Sequence, residues 1–277
     1  MKQEKFDRFV MCVEPADRRC ASAWRAAIGL QAIDGLKPSH YLFDLAKRNI
    51  ERKISIDDVR DLLDRHYLEK KEMTEIELNE EQADKTSANI TKVFFDNSFT
   101  ISVDELVATH ERIFNGVLEH AGLFREFDLK KKEWLLNGDA ISFINKKDVR
   151  NAVESDIENE SEFSYAGMTN VFKLLHISVF ASNLWLIHPF CEGNTRTIAV
   201  FMLRYLRSMG YDVDYDAFAN YSWYFRNALV RANYKNEELG IDYDFKFLEK
   251  FFRNLMFGDK KKLKIKHLVL ENEKSPV

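Results

Sequence analysis

Residues 187–196 of the chain read Ile-His-Pro-Phe-Cys-Glu-Gly-Asn-Thr-Arg. This polar stretch lies between two long apolar segments, Phe172 to Trp185 and Ile198 to Leu206, which predict two helices that bury most of their surface. The backbone N–H groups from Gly193 to Arg196 would open the second helix without intrahelical partners, so they can bind an anion. A base, a carboxylate and a phosphate cradle in one loop indicate phosphate-ester chemistry.

Composition sets broad bounds on the fold and the partners. The 277 residues suffice for one large domain, or for a core domain with a smaller appendage. The chain has only 10 Gly and 4 Pro, which favours long helices over many short strands. The formal net charge of -4 argues against broad nucleic-acid binding, because such binding depends on neutralising phosphates.

Cysteine usage and the chain start predict the compartment. Three cysteines (Cys12, Cys20 and Cys191) have neither metal-ligand spacing nor a disulfide framework, which indicates a reducing environment. The first residues lack an apolar signal core, and we expect no apolar run of membrane-spanning length. The sequence therefore predicts a cytoplasmic protein with no membrane or nucleic-acid partner. Cys191 could also act as a nucleophile, although the position between Phe190 and Glu192 requires only a side chain of suitable size.

The N-terminal part predicts a helical module. We expect residues 1–16 to be irregular, followed by helices at Asp17 to Gly35, His40 to Arg52, and Ser55 to Leu68. The charged stretch Glu69 to Asp84 is the best candidate for a domain boundary, or it is another exposed helix face. The predicted division is residues 1–80, an N-terminal helical module, and residues 81–277, a main domain with its core at about 100–235 and a C-terminal helical extension.

The remainder predicts helices and one hairpin. Helices are expected over Gln82–Phe95, Ser102–His120, Lys146–Glu158, Met168–Trp185, Thr195–Met209, Asp214–Tyr234 and Tyr243–Phe257, with a terminal strand over Leu263–Leu270. Apolar and β-prone residues from Glu133 to Phe143 flank the Asn137-Gly138 pair, which is a strong hairpin signal. The predicted fold class is therefore all-α with one β-hairpin.

Three segments resemble one family. His188-Pro189-Phe190-Cys191-Glu192-Gly193-Asn194-Thr195-Arg196 resembles the signature of the Fic (filamentation induced by cAMP) domain, His-x-Phe-x-Asp/Glu-Gly-Asn-Gly-Arg-x-x-Arg. Ala121-Gly122-Leu123-Phe124-Arg125 is similar to the segment before the family's target-docking flap, whose place the predicted hairpin occupies. The stretch from Ala27 to Ser39 is similar to the antitoxin-like inhibitory helix of many members. The resemblance implies a Fic-type helical bundle with a β-hairpin flap.

The resemblance also implies an activity. Most members of known activity transfer AMP from ATP to a protein hydroxyl, so this chain is expected to be a protein adenylyltransferase that uses ATP and Mg²⁺. His188 would be the general base, since imidazole is largely neutral at cellular pH. Glu192 would hold Mg²⁺. Gly193 and Asn194 would cradle the α-phosphate with the following backbone amides, and Arg196 would clamp the β-phosphate.

Two further segments are expected to contribute. The flap residues Trp134, Leu135, Leu136, Asn137 and Gly138 would hold the target protein by strand addition, or the hairpin merely covers the core. Arg226 would lie near the nucleotide, or it belongs to an exposed basic helix.

The chain departs from the family pattern at two signature positions. Thr195 replaces the second glycine and would crowd the phosphate cradle. Ala199 replaces the last arginine, which grips the γ-phosphate in relatives; Arg204 or Arg226 could substitute for it.

The inhibitory motif, Ser/Thr-x-x-x-Glu-Gly in relatives, survives here only as a remnant in which Leu30 and Asp34 precede Gly35. In relatives its glutamate pairs with the last arginine. We therefore expect the N-terminal helix to pack on the catalytic domain without blocking nucleotide through that ion pair.

Other functions stay open at this stage. A Fic-type enzyme could transfer phosphate, UMP or phosphocholine instead of AMP, and the protein could modify itself as well as a target. A catalytically weak regulatory binding module is the alternative from another class. The aromatic cluster between Phe218 and Phe225 fits either a core or an oligomer interface.

Overall fold

Helices dominate the computed structural model, which describes residues 3–213 and 215–270. Over these residues the chain forms eleven α-helices and one two-stranded antiparallel sheet. The helices are α1 (Gln3–Met11), α2 (Arg18–Leu30), α3 (His40–Ile50), α4 (Ile56–Leu68), α5 (Glu75–Phe95), α6 (Val103–Phe114), α7 (Val149–Glu162), α8 (Asn170–Ile187), α9 (Asn194–Ser208), α10 (Asp216–Ala232) and α11 (Lys246–Phe257). The predicted all-α class with one hairpin is confirmed.

The centre of the fold is the pair α8 and α9, which the polar loop connects. From Thr197 to Leu206 every residue of α9 is buried. Among the described residues, α8 is the one helix long and apolar enough to cross a membrane, so the prediction that no segment reaches that length was wrong. Half of α8 is buried inside the protein, as in the core helix of a globular fold. The buried α9 and the half-buried α8 therefore hold the loop between them.

Helix α2 lies between two hydrophobic clusters. One face, with Ala23, Ala27 and Leu30, joins the large cluster that contains α8, α9 and α10. The other face, with Trp24 and Ile28, joins a smaller cluster with α1, α3 and α4. The division into residues 1–80 and 81–277 stays a prediction, but α2 contributes to both cores.

Helix α2 also approaches α10 closely. A Cβ atom on Gly29 would lie 2.6 Å from the carbonyl oxygen of Ala219, so only glycine fits between the two backbones. Ser222 Oγ donates a hydrogen bond of 2.7 Å to the carbonyl oxygen of Gly29. The N-terminal segment is thus fixed on the main helical body by backbone-level contacts.

The charged stretch proposed as a boundary is mostly helical. Helix α5 begins at Glu75, not at Gln82, because Thr74 and Glu77 form a capping box that satisfies the first backbone N–H groups. Glu75 and Glu77 of this stretch occupy the first turn of α5, where the helix dipole favours acidic residues. The helix continues without a break through residue 80.

The predicted hairpin is present, but its strands have different bounds from those predicted. Strand β1 (Lys130–Lys132) pairs with β2 (Ala140–Ser142), with Lys131 opposite Ile141. The predicted first strand is instead a 3₁₀ turn at Trp134–Leu136, because burial of Leu135 and Leu136 pulls the connection towards the core. Asn137 and Gly138 then complete the turn at positive φ.

Three other expectations at segment ends need correction, and a fourth falls on a residue outside the described ones. The start is not irregular, because α1 buries Phe6 and Val10. Helix α6 ends at Phe114, before His120, since Asn89 donates hydrogen bonds to the carbonyls of residues 113 and 115. No strand forms over Leu263–Leu270, which contains a 3₁₀ turn and buries Leu263 and Leu268. Helix α10 is described from Asp216, and Asp214 lies outside the described residues.

Candidate active site

Two left-handed residues make the bend between α8 and α9. His188 ends α8 at φ 51° and ψ 59°, and Gly193 precedes α9 at φ 69°. A Cβ atom on Gly193 would lie 2.2 Å from Cζ of Phe114, so the bend needs glycine for space as well as for conformation.

The loop is closed by Asn194 and anchored by Phe190. The Asn194 side chain accepts from the Phe190 N–H at 2.9 Å and donates to the Phe190 carbonyl at 2.7 Å. The Phe190 ring is buried and stacks on His110 at a centroid distance of 3.8 Å. The predicted catalytic contribution of Asn194 can therefore come only from its backbone N–H, because its side chain shapes the loop.

His110, which the sequence did not single out, fixes the other side of the loop. The Gly122 N–H donates to its Nδ1 at 2.8 Å, so Nε2 carries the proton and donates to the Glu192 carbonyl at 3.1 Å. Burial lowers the pKa of His110 to about 4, which keeps the ring neutral. No local pattern marks this residue, since Glu192 is 82 positions away.

Arg125 holds the C-terminal end of α8. Its guanidinium donates to the carbonyls of Ile187 at 3.2 Å and His188 at 2.7 Å, and it also donates to the carbonyl of Ile144 just after β2. Its backbone N–H donates to the Pro189 carbonyl at 2.9 Å. Arg125 thereby joins the loop to the hairpin and places positive charge at the negative end of the helix.

The His188 side chain is neutral and has one ring nitrogen available as an acceptor. Its Nδ1–H donates to the Trp185 carbonyl at 3.4 Å, which leaves Nε2 as a hydrogen-bond acceptor. Burial lowers the pKa of His188 to about 3, and the nearby charges of Arg125, Lys131 and Arg226 add to this effect. The imidazole is therefore unprotonated at cellular pH.

These residues line a cleft of about 360 Å³. Its walls bring together most of the predicted site residues with residues of the N-terminal segment and α5: Ile33, Asp34, Leu36, Asn79, Gln82, Lys131, Trp185, His188, Cys191, Glu192, Gly193, Asn194, Thr195, Arg196 and Arg226. Since no side chain caps α9, the backbone N–H groups of its first turn are free for an anion at the wall that Gly193 to Arg196 form. The structure thus places His188, Glu192 and the first turn of α9 at the same cleft.

Several predicted site residues lie outside this cleft. Leu30 is buried in the core, and Gly35 makes a left-handed turn after the 3₁₀ turn Gln31–Asp34. Leu135 and Leu136 are buried under the hairpin. The other three flap residues, Trp134, Asn137 and Gly138, are exposed but do not line the cleft.

The comparisons with known proteins agree with this geometry. Residues 100–206 match the model of the Fic/DOC family. This segment is a Fic/DOC domain. It contains the whole bend, the hairpin and the residues that hold both. No curated protein matches the chain.

Solved structures share the fold at low sequence identity. The N-terminal Fic domain of the Bep8 protein of Bartonella sp. 1-1C is 16% identical with a TM-score of 0.53, over 67% of this chain and 88% of that one. The N-terminal Fic domain of a Bartonella effector protein from Bartonella sp. AR 15-3 is 18% identical with a TM-score of 0.51, over 67% and 84%. A Fic family protein from Desulfovibrio desulfuricans G20 is 14% identical with a TM-score of 0.56, over 88% and 66%.

Thr195, the first departure from the Fic signature, has a partner in this chain. Its Oγ1 accepts the indole N–H of Trp185 at 2.9 Å. The hydroxyl is thereby turned towards α8, while the Thr195 backbone stays in the first turn of α9. The expected crowding of the cradle stays a prediction.

The second departure leaves only one arginine of the Fic signature at the cleft. Ala199 is fully buried, so no side chain from this position reaches the cleft. Arg204 cannot substitute, because it forms ion pairs with Asp96 and Glu105 on another side of α9. Arg226 does line the cleft, where it pairs with the buried Glu133 at 2.6 Å.

Arg196 pairs with the N-terminal segment. Its Nε lies 2.7 Å from Asp34 Oδ2, and its Nη1 donates to Gln31 Oε1 at 2.9 Å. The ion pair with the last signature arginine cannot form, because Ala199 holds that position, but Asp34 pairs with Arg196 instead. The expectation that the N-terminal helix does not block nucleotide stays a prediction.

Proposed function

We propose that this Fic domain transfers AMP from ATP to a hydroxyl side chain of a target protein, with self-modification as a variant of the same reaction. The observation that carries the proposal is the common cleft of His188, the uncapped first turn of α9 and Arg196. A neutral acceptor nitrogen and an anion hole in one cleft are what transfer of a phosphoryl-linked group to a hydroxyl requires.

Each residue then has a defined role. His188 Nε2 takes the proton of the target hydroxyl, whose oxygen forms a bond to the α-phosphorus of ATP. The bond between the α-phosphorus and the bridging oxygen breaks, and pyrophosphate leaves with that electron pair. The N–H groups of Gly193 to Arg196 stabilise the charge on the α-phosphate, and Arg196 holds the β-phosphate of the leaving group.

Glu192 is the residue that would hold Mg²⁺. Its carboxylate is exposed beside the first turn of α9, and the described residues contain no set of three metal-ligating side chains. One carboxylate suits Mg²⁺, which often binds through one or two carboxylates together with substrate phosphates. The ion would neutralise phosphate charge when bound.

The hairpin is the proposed docking site for the target chain. All three residues of β1 are exposed, and β1 has a strand partner on one side only. A target segment can therefore add along its free edge, with Trp134 at the exposed end of the turn. Burial of Leu135 and Leu136 limits their role to supporting the hairpin.

A second candidate keeps the fold and the base but changes the donor. Because Ala199 replaces a signature arginine, the side chain expected to bind a γ-phosphate is missing, which favours a donor that does not need this contact. The alternative reactions are transfer of phosphate, UMP or phosphocholine. The alternative from another class is a catalytically weak regulatory module in the cytoplasm.

The test is incorporation of label from ATP carrying it at either the α- or the γ-phosphate, followed by intact-mass analysis with each nucleoside triphosphate. AMP transfer retains only the α-label. His188→Ala is expected to lower incorporation by roughly 10²–10⁴-fold, since it removes the base. His188→Asn should behave alike while tolerating the left-handed backbone, which guards against misfolding.

The matched control is His267→Ala, a change at an exposed histidine outside the cleft. It should leave incorporation unchanged. Retention of the γ-label would establish phosphate transfer instead. Full labelling by the folded His188 variants would remove His188 as the base.

A further inference from the structure

Arg196 is held along one edge. It is 1% exposed, and its guanidinium carbon lies 4.8 Å from the ring centre of Phe114. Asp34 faces Nε and Gln31 accepts from Nη1, whereas Nη2 has no acceptor among the residues that the structure describes. One nitrogen of a clamped guanidinium is thus left for a ligand in the cleft.

Gln31 is a preorganised acceptor. It is fully buried, and its Nε2 donates to the Ala27 carbonyl at 2.9 Å. This bond fixes the amide so that Oε1 faces Arg196. A buried neutral acceptor of this kind directs the arginine without cancelling its charge.

The segment that carries Gln31 cannot move aside easily. Helix α2 is packed in the large core, and its Gly29 is in backbone contact with α10. Burial lowers the pKa of Arg196, and the charge of Asp34 opposes that effect and favours the charged form. These contacts fix the segment firmly on the main helical body, so it can support Arg196.

We infer that Gln31, assisted by Asp34, is a positioning residue that directs Arg196 Nη2 towards the phosphates of the donor. The inference rests on the proposed function, and it assigns to the N-terminal segment a supporting part in the active site in place of a blocking one. Gln31 itself touches no reacting atom.

The experiment is a double-mutant cycle with Gln31→Met and Arg196→Met in the full chain. Label incorporation from α-labelled ATP and ATP–Mg²⁺ binding by calorimetry are both measured. Gln31→Met removes the acceptor at similar volume, so we expect incorporation to fall roughly 10- to 100-fold through misplacement of Arg196. In the Arg196→Met background the same change should cost less than about 2-fold, because Gln31 acts only through Arg196.

Two further variants separate positioning from packing and from blocking. Ser222→Ala removes another buried contact between α2 and α10, so it reports on packing alone, and its effect should be equal in both Arg196 backgrounds. Asp34→Ala changes a half-exposed side chain that is safe for folding, and it should lower incorporation roughly 3- to 10-fold.

The outcomes are distinct. Unchanged incorporation in Gln31→Met or Asp34→Ala would overturn the inference, and increased incorporation would overturn it and indicate a block. Equal losses in both Arg196 backgrounds would reduce Gln31 to packing. If the unmodified protein incorporates no label from any nucleotide, the proposed function fails, and the ATP-binding measurements then test the inference alone. A loss of ATP affinity in Gln31→Met that occurs only when Arg196 is present supports positioning. If Gln31→Met does not lower ATP affinity in this way, positioning is refuted.

Discussion

His188 has a backbone conformation that few non-glycine residues adopt, and this conformation is part of the site. At φ 51° the residue ends α8 and turns its ring into the cleft, while Arg125 holds its carbonyl. The cost of such a conformation is about 1–2 kcal/mol, which the surrounding contacts must offset. These contacts thus hold the His188 side chain at the wall of the cleft.

The pH dependence of labelling should reflect the surroundings of His188. Its pKa is lowered to about 3, so the base stays neutral as the pH falls from 7.5 to 5.5. An imidazole with a pKa of about 6.5 would lose roughly tenfold of its neutral form at pH 5.5. We expect the initial rate of labelling to fall less than about threefold over this range.

Circular dichroism at each pH is the control for folding. A tenfold loss of rate at pH 5.5 in a fully folded protein would contradict the low pKa of His188.

Residues within one loop could be predicted from the sequence, and distant partners could not. His188, Glu192 and Arg196 stand at fixed spacing along one helix–loop–helix, so local geometry already places them together. Gln31 is 165 positions from Arg196, and His110 is 82 from Glu192. No periodicity records such a pairing, because it depends on how whole helices pack.

At the scale of elements, Arg125 connects the end of α8 to the hairpin. Its fork of donors reaches the carbonyls of Ile187 and His188 on the loop side and of Ile144 beside β2. Because the loop between α8 and α9 and the hairpin are joined through one guanidinium, a change at Arg125 disturbs both.

We expect Arg125→Lys to lower labelling roughly 10- to 100-fold, since one ammonium cannot span these carbonyls and the base is misplaced. The unfolding temperature should fall as well, because buried carbonyls lose their donors. Labelling assays and thermal unfolding measure the two effects.

Arg150→Lys is the matched control. Arg150 lies nearby over the Phe124 ring, but its side chain is 69% exposed. This variant should label at the normal rate. An equal loss in the two variants would mean that Arg125 has no special connecting role.

Element prediction succeeded where a local signal dominates. The cap at Ser55 correctly opened α4, and Gly210 correctly followed α9. The equivalent cap at Thr74 lies within a charged stretch and was not predicted. The predicted start of α5 is therefore a turn or two too late. The hairpin strands were misplaced because the burial of Leu135 and Leu136 is a tertiary effect that outweighs the local turn signal.

At the scale of the whole molecule, α2 makes the N-terminal segment inseparable from the Fic domain. Removing residues 1–68 would expose the apolar side chains of the large cluster that pack against α2. It would also leave Arg196 without Gln31 and Asp34. We expect this fragment to lack a cooperative thermal transition, since loss of several buried apolar side chains costs several kcal/mol.

A shorter deletion of residues 1–16 is the comparison. It removes α1 and the buried Phe6 but keeps α2 intact, so it should remain folded with a lower unfolding temperature. A cooperative transition and increased labelling in the longer deletion would instead show that the segment is a removable inhibitor.

The bond between the Trp185 indole and Thr195 gives the cleft an optical property of its own. Indole emission responds to nearby charge, and this ring lies where the first turn of α9 would meet phosphate. We therefore expect nucleotide binding to change the emission of Trp185, whereas Trp24 belongs to the second hydrophobic cluster. The fold thus has a native fluorophore beside the first turn of α9, so that binding of a ligand there would be open to measurement in solution without an attached dye.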